Sequence, residues 1–156
     1  MSNKRYTLLY NIVLVGLLLC TACDNRTIYS HYEHTPLHGW EKNDVLEFGI
    51  PITEHGNYME KLGVRINSDY PFMGLTLIVN KTIHPSMETD CDTLDCDLIG
   101  KDGNAKGQGI SHYQYEFPLE LRSLHQGDSV TISIHHDMKR EILPGISDIG
   151  IIMTKE

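Results

Sequence analysis

Nine histidines, a run of aspartates and four cysteines are the side chains with chemistry to offer in this 156-residue chain. His31, His34 and His38 are spaced as metal ligands on a helix would be. Pro36 interrupts any helix there, which leaves them as solvated polar residues. His135-His136-Asp137 joins a base to an acid, but neighbours on a strand point to opposite faces and do not converge without a turn. No nucleophile setting such as Gly-x-Ser-x-Gly accompanies them. Asp90, Asp92, Asp95 and Asp97 supply the oxygen ligands that calcium takes. Their spacing is not that of an EF-hand loop, and no bidentate Glu completes one. Asp95 and Asp97 alternate with Leu94, Cys96 and Leu98, which is the pattern of a solvated strand face. The residues thus point to no catalytic set, no metal site and no cofactor.

The cysteines carry more. Lys4 and Arg5 precede an apolar run, Leu8 to Leu19, which ends in Cys20-Thr21-Ala22-Cys23. A basic start, a short apolar stretch and small residues before a cysteine predict a signal cleaved by a lipoprotein peptidase, not a membrane span. Cys23 is the expected acylated residue. Leu19 is too large to precede the processed position, which counts against Cys20. Buried methylenes contribute roughly 0.8 kcal/mol each, so two or three acyl chains hold a protein to a bilayer almost irreversibly. The expected location is the cell envelope, anchored to a membrane. Cys91 and Cys96 are the other two cysteines. They could pair in an oxidising compartment. Five residues apart on an unbroken strand they face opposite sides, so a disulfide requires a bend or bulge; otherwise one thiol is buried and one exposed.

These residues must be positioned by strands. From Asp44 onward the chain alternates with period two. Leu46, Phe48 and Ile50 share a face, as do Tyr58, Leu62, Val64 and Ile66; Leu75, Leu77 and Val79; Tyr113, Tyr115 and Phe117; and Val130, Ile132 and Ile134. Ile149–Thr154 is apolar on both faces and is expected at the centre of a sheet. Lys101-Asp102-Gly103-Asn104 carries a hairpin signal, and Gln126-Gly127-Asp128 a turn. Only Asp137–Leu143 could hold a helical turn before Pro144-Gly145. The expected fold is all-β, an antiparallel, jelly-roll-like sandwich of about seven to eight strands. The expected organisation is a signal over 1–22, a lipid-proximal tether over 23–43 and the sandwich over 44–156. The formal charge is −8, and −10 once Lys4 and Arg5 leave with the signal. Such a chain is repelled by nucleic acid and by anionic lipid, so its attachment has to come from the acyl chains.

Several segments, in order, resemble the gliding-motility lipoprotein family GldH of the Bacteroidetes. They are Gly39-Trp40, Arg65 followed by Tyr70-Pro71-Phe72 and Leu75, Asp92-Thr93-Leu94, Gly107-Gln108-Gly109, His136-Asp137-Met138-Lys139, and Leu143-Pro144-Gly145-Ile146-Ser147-Asp148-Ile149-Gly150. The resemblance covers nearly the whole chain after Cys23. It implies a single-domain envelope lipoprotein without catalytic residues, which works beside protein partners of a motility or secretion machine. On this reading Trp40, Tyr70, Pro71, Leu143, Gly145, Asp148 and Gly150 are structural, with Trp40 plugging one end of the sandwich. The other function class is a carbohydrate-binding sandwich, whose exposed aromatics would stack on sugar rings. Its first candidates are Trp40, Tyr58 and Tyr113.

Overall fold

A computed structural model describes residues 26–156. The expected signal and Cys23, the expected acylation site, lie outside the described residues. Eight long strands are present among them: β1 Thr27–His34, β3 Leu46–Pro51, β4 Gly56–Asn67, β5 Gly74–His84, β6 Glu88–Asp97, β8 His112–Leu124, β9 Ser129–His136 and β11 Ile146–Lys155. Three two-residue pieces supplement them: β2 Trp40–Glu41, β7 Gln108–Gly109 and β10 Ile142–Leu143. One sheet has the order β1-β11-β4-β8-β7 and the other β3-β9-β5-β6, with β2 and β10 paired separately. Every pairing is antiparallel. The eight long strands form two four-stranded layers with the alternating sheet membership of a jelly roll.

The alternation explains the layers. Phe48 and Ile50, Leu62, Val64 and Ile66, Leu75 and Leu77, and Val130, Ile132 and Ile134 are all buried between the sheets. β11 is paired on both edges, by β1 and β4, and its residues 148–151 are buried on both faces, in keeping with its continuous apolar run.

The segment expected to be a tether is different. Thr27–His34 forms β1, which runs antiparallel to β11 from Thr27↔Thr154 to His34↔Asp148. The domain therefore begins at Thr27, not at residue 44. β1 is a sheet edge with only one partner, so its sequence needs no strict alternation and its polar residues hide the strand.

Three open points are decided by the fold, the first in favour of the unpaired thiols. Cys91 and Cys96 are free thiols, the first exposed and the second buried. β6 runs straight through both, in register with Asn80 and Leu75, so they face opposite sides and no disulfide forms. The Lys101–Asn104 turn does close, with an Ile99↔Ala105 bridge above it. It sits in a connection between the two sheets, not in a hairpin between neighbours, because β6 and β8 belong to different layers. Residues 137–141 are irregular, with a bend over 139–141, and form no helix.

The connections divide the molecule. One end of the sandwich holds Thr27, Lys155 and three short links, 52–55, 85–87 and 125–128. The opposite end holds the four longer ones, 35–45, 68–73, 98–111 and 137–145.

Candidate functional site

The four long connections build one end of the molecule around Trp40. Its side chain is fully buried, and its indole Nε1–H donates to the Asp44 carbonyl at 3.0 Å. His136 meets the indole edge-on, ring centroids 5.3 Å apart. The His136 Nε2 lies 3.2 Å from the Trp40 carbonyl, while its Nδ1 faces the Met138 amide at 3.4 Å. An amide can only donate, so Nδ1 accepts and the proton sits on Nε2. Burial pulls the His136 pKa down and keeps the ring neutral. Both nitrogens are occupied, and the ring is a structural bridge rather than a base awaiting a substrate. Its sequence neighbour Asp137 turns outward to Lys42, at 2.9 Å.

Leu143 pairs with Trp40 through the small β2–β10 sheet and is buried beside it. Tyr70 is buried and donates its hydroxyl to the Gly74 carbonyl at 2.7 Å; burial drives its pKa up. Phe72 stands edge-on to it, centroids 5.7 Å apart, while Pro71 is exposed. Gly145 has φ +79°, and a Cβ there would strike the Tyr70 backbone. Trp40, Tyr70, Pro71, Leu143 and Gly145, scattered over a hundred positions in sequence, thus meet at this end.

Asp148 and Gly150 belong elsewhere, on the outer face of the five-stranded sheet. Register aligns His34, Asp148, Arg65, Gln114 and Gln108 in one polar row across all its strands. In the adjacent row Tyr32, Gly150 and Gly63 align. The Tyr32 ring lies over the two glycines, where any Cβ would collide with it. The Arg65 guanidinium covers the ring from above, 3.9 Å from its centroid, and its Nε donates to Gln114 at 3.1 Å. Asp148 is buried against His34. The sequence signal for this cluster was the glycine in each of two strands, which marks a close approach. What approaches is visible only once the register is known.

A third polar group lies between the sheets near the Thr27 end. A β-bulge opposite Glu60 shifts the phase of β8, so Glu120 and Arg122 turn inward after Tyr115 and Phe117. Arg122 then bonds Glu88 at 2.9 Å, Asp90 at 2.6 Å and Glu120 at 3.0 Å. Lys81 pairs with Glu120 at 2.8 Å and with Glu60, which is wholly buried. Burial raises the Glu60 pKa against the pull of Lys81. Burial alone would lower the Lys81 pKa, but the bonds to Glu120 and Glu60 outweigh it and hold the ammonium charged. Glu60 occupies an inward position between Tyr58 and Leu62, and nothing in the alternation announces a charge there.

The sequence-derived chemistry disperses in the fold. Asp90 joins Arg122, Asp95 accepts from the Thr76 hydroxyl at 2.7 Å, and Asp97 pairs with Lys106 at 2.6 Å. His31 bonds Glu33 and His34 contacts Asp148, on opposite faces of β1. Among the described residues no group of three or more His, Cys, Asp or Glu is placed to hold a metal ion. Two of the three sugar-stacking candidates are interior: Trp40 and Tyr58 expose 0% and 1% of their surface. Tyr113 is half-buried against the core. The carbohydrate reading loses its platform.

The family model described as GldH lipoprotein matches residues 27–153. The gliding motility lipoprotein GldH of Flavobacterium johnsoniae is 31% identical over 147 residues, covering 89% of this chain and 91% of that protein. The gliding motility lipoprotein GldH homolog of Christiangramia forsetii is 25% identical over 154 residues, covering 92% and 93%. Among solved structures, a family GH115 4-O-methyl-alpha-glucuronidase is 10% identical with a TM-score of 0.47, over 86% of this chain and 18% of that one. That likeness is too slight to bear on chemistry.

Proposed function

This chain belongs to the GldH lipoprotein family, and from that premise we propose that it is a membrane-tethered, non-enzymatic accessory of the envelope machinery for gliding motility. The observation that carries the reading is the family match across Thr27 to Met153, the whole sandwich but for its last strand residues. The side chains support it. Several groups that could have formed a reaction centre, His136 and Cys96 among them, are spent on packing and pairing.

Cys23 is the proposed acyl site. It precedes Thr27 by four residues, and a chain extends at most about 3.3–3.6 Å per residue, so the first strand lies within roughly 15 Å of the lipid. Confinement on so short a connection raises the effective concentration of the domain for neighbours in the same membrane, and weak contacts then suffice.

The test has two arms. Labelled palmitate should enter the full chain and not Cys23→Ser; label retained in Cys23→Ser and lost in Cys20→Ser assigns the wrong cysteine. Crosslinking in cells followed by mass spectrometry should recover motility or secretion proteins of the envelope. A purified domain that hydrolyses a substrate, or that recovers no envelope protein, sinks the accessory reading.

A further inference from the structure

We propose that the end of the sandwich farthest from Thr27 is a docking surface for a partner protein, and that the partner presents an apolar segment flanked by acidic residues. The inference deepens the functional reading and rests on anchorage at Cys23. Phe72 divides two adjoining hollows at this end. One, of about 330 Å³, is lined by Pro71, Phe72, Met73, Ile99 and Tyr113 among others. The other, of about 750 Å³, is lined by Phe72, Thr76, Asp137, Met138, Lys139 and Arg140. Met73, on the wall of the first, is 52% exposed. Phe72 is common to both, and Met138 adds a second apolar side chain to the larger, which a solvated loop cluster does not require.

Charge selects the occupant. In a chain of net charge −8, Lys139 and Arg140 stand exposed beside Phe72 and Met138. Two other lysines at this end are paired, Lys42 with Asp137 and Lys106 with Asp97. Lys139 and Arg140 have no acidic partner among the described residues. A basic pair on the rim of an apolar trough fits carboxylates flanking an apolar anchor.

Geometry excludes the other occupants. The chain ahead of residue 26 starts from the opposite end, about ten strand residues away, and is committed to the lipid on a connection of four residues. A second copy anchored in the same leaflet presents its trough in the same direction, so the two troughs cannot face each other. Bilayer contact would demand that the molecule invert on a connection too short for it.

The test is photo-crosslinking of the full lipidated chain in its own cells. A benzophenone amino acid is placed at Met73 or Lys139, and at Met87 and Thr93 as controls at the near end and on the side. A discrete adduct from the first two positions only is expected. Its crosslinked peptide should carry Asp or Glu beside apolar residues. The Met73 adduct should fall about tenfold or more in Lys139→Glu/Arg140→Glu, the scale of losing a close interfacial charge pair. Both substituted positions are exposed, and an unchanged unfolding midpoint separates lost docking from lost folding. Adducts confined to Met87 or Thr93, a basic crosslinked peptide, an adduct that survives charge reversal, an adduct with lipid or with a second copy, or no adduct at all overturns the proposal. Membrane sedimentation of Cys23→Ser is run alongside. If that variant stays on the membrane while the Met73 adduct persists, the anchor assignment has failed and the docking surface has not.

Discussion

Lys81 is the residue whose loss the fold should feel most among its charges. It stands between Glu60, which has no access to water, and Glu120, which does. Removing the ammonium strands a buried carboxylate, and breaking a buried pair in this way costs about 3–5 kcal/mol. Lys81→Met should therefore lower stability by about that much at neutral pH in a urea titration. Glu60→Leu/Lys81→Met should recover most of the loss, since an apolar pair of similar volume is close to neutral in such sites. The pH dependence has a definite sign. The raised pKa of Glu60 means that its neutral form is favoured in the folded state, a contribution fully present below the unfolded value near 4.5 and lost as pH rises through the folded one. The deficit of Lys81→Met should shrink toward acid. Glu120 runs the other way. The Lys81 bond lowers its pKa, so its contribution is present above 4.5 and is lost as pH falls through the lowered value. A Lys81→Met deficit independent of pH would remove Glu60 as the cause. The two thiols give a second residue-scale outcome. Burial pushes the Cys96 pKa up to about 12, while Cys91 is exposed. One equivalent of a maleimide should enter the native protein at Cys91, and Cys96 should react only on unfolding. Two equivalents entering at equal rates would contradict the burial.

At the scale of elements, period-two alternation placed the inner faces correctly along the unbulged inner strands, as in β4, β5 and β9. It failed at β1 for a physical reason: an edge strand covers one face incompletely, so Ser30, His31 and Glu33 can be polar without cost. It also passed over the bulge in β8, because an extra residue reverses which side chains point inward without changing composition. The residues that meet at the far end were legible one by one, through Trp40, Pro71 and Gly145, but not as a cluster. In the Tyr32–Gly150–Gly63 row only the glycines were legible, as marks of a close approach; the ring that approaches them is set by register. That row makes a prediction. Gly150→Ala places a methyl group where the Tyr32 ring lies, and overpacking of this kind costs about 1–3 kcal/mol. Tyr32→Ala removes the ring together with its stack on Arg65. In Tyr32→Ala/Gly150→Ala the collision with the ring no longer exists and only the close contact with the His31 carbonyl remains, so the double variant should lose less than the two single losses added together. Additive losses would mean that the ring does not rest on the glycine.

The whole molecule is a rod with unlike ends, and on the anchorage proposed here its polarity relative to the membrane becomes measurable. A strand of β8's thirteen residues is roughly 44 Å long at about 3.4 Å per residue. A connection of at most about 15 Å beneath it puts Met87 near the lipid and Met73 several tens of ångströms above it. The height follows from the pairing of β1 with β11, because a free tether over 23–43 would have let the domain tumble and sample every orientation. The membrane-reconstituted lipoprotein, with Cys91→Ser to leave one reactive site, is labelled with a donor at Met87→Cys or at Met73→Cys, and acceptors are placed in the lipid headgroups. Energy transfer should be strong from position 87 and weak from position 73. Disrupting β1 by Tyr29→Pro, which removes a donor from its ladder, should release the strand and bring the two values together. Equal transfer from both positions in the unaltered protein would show a domain free to tumble, and stronger transfer from position 73 would place the far end, with its apolar trough, on the bilayer.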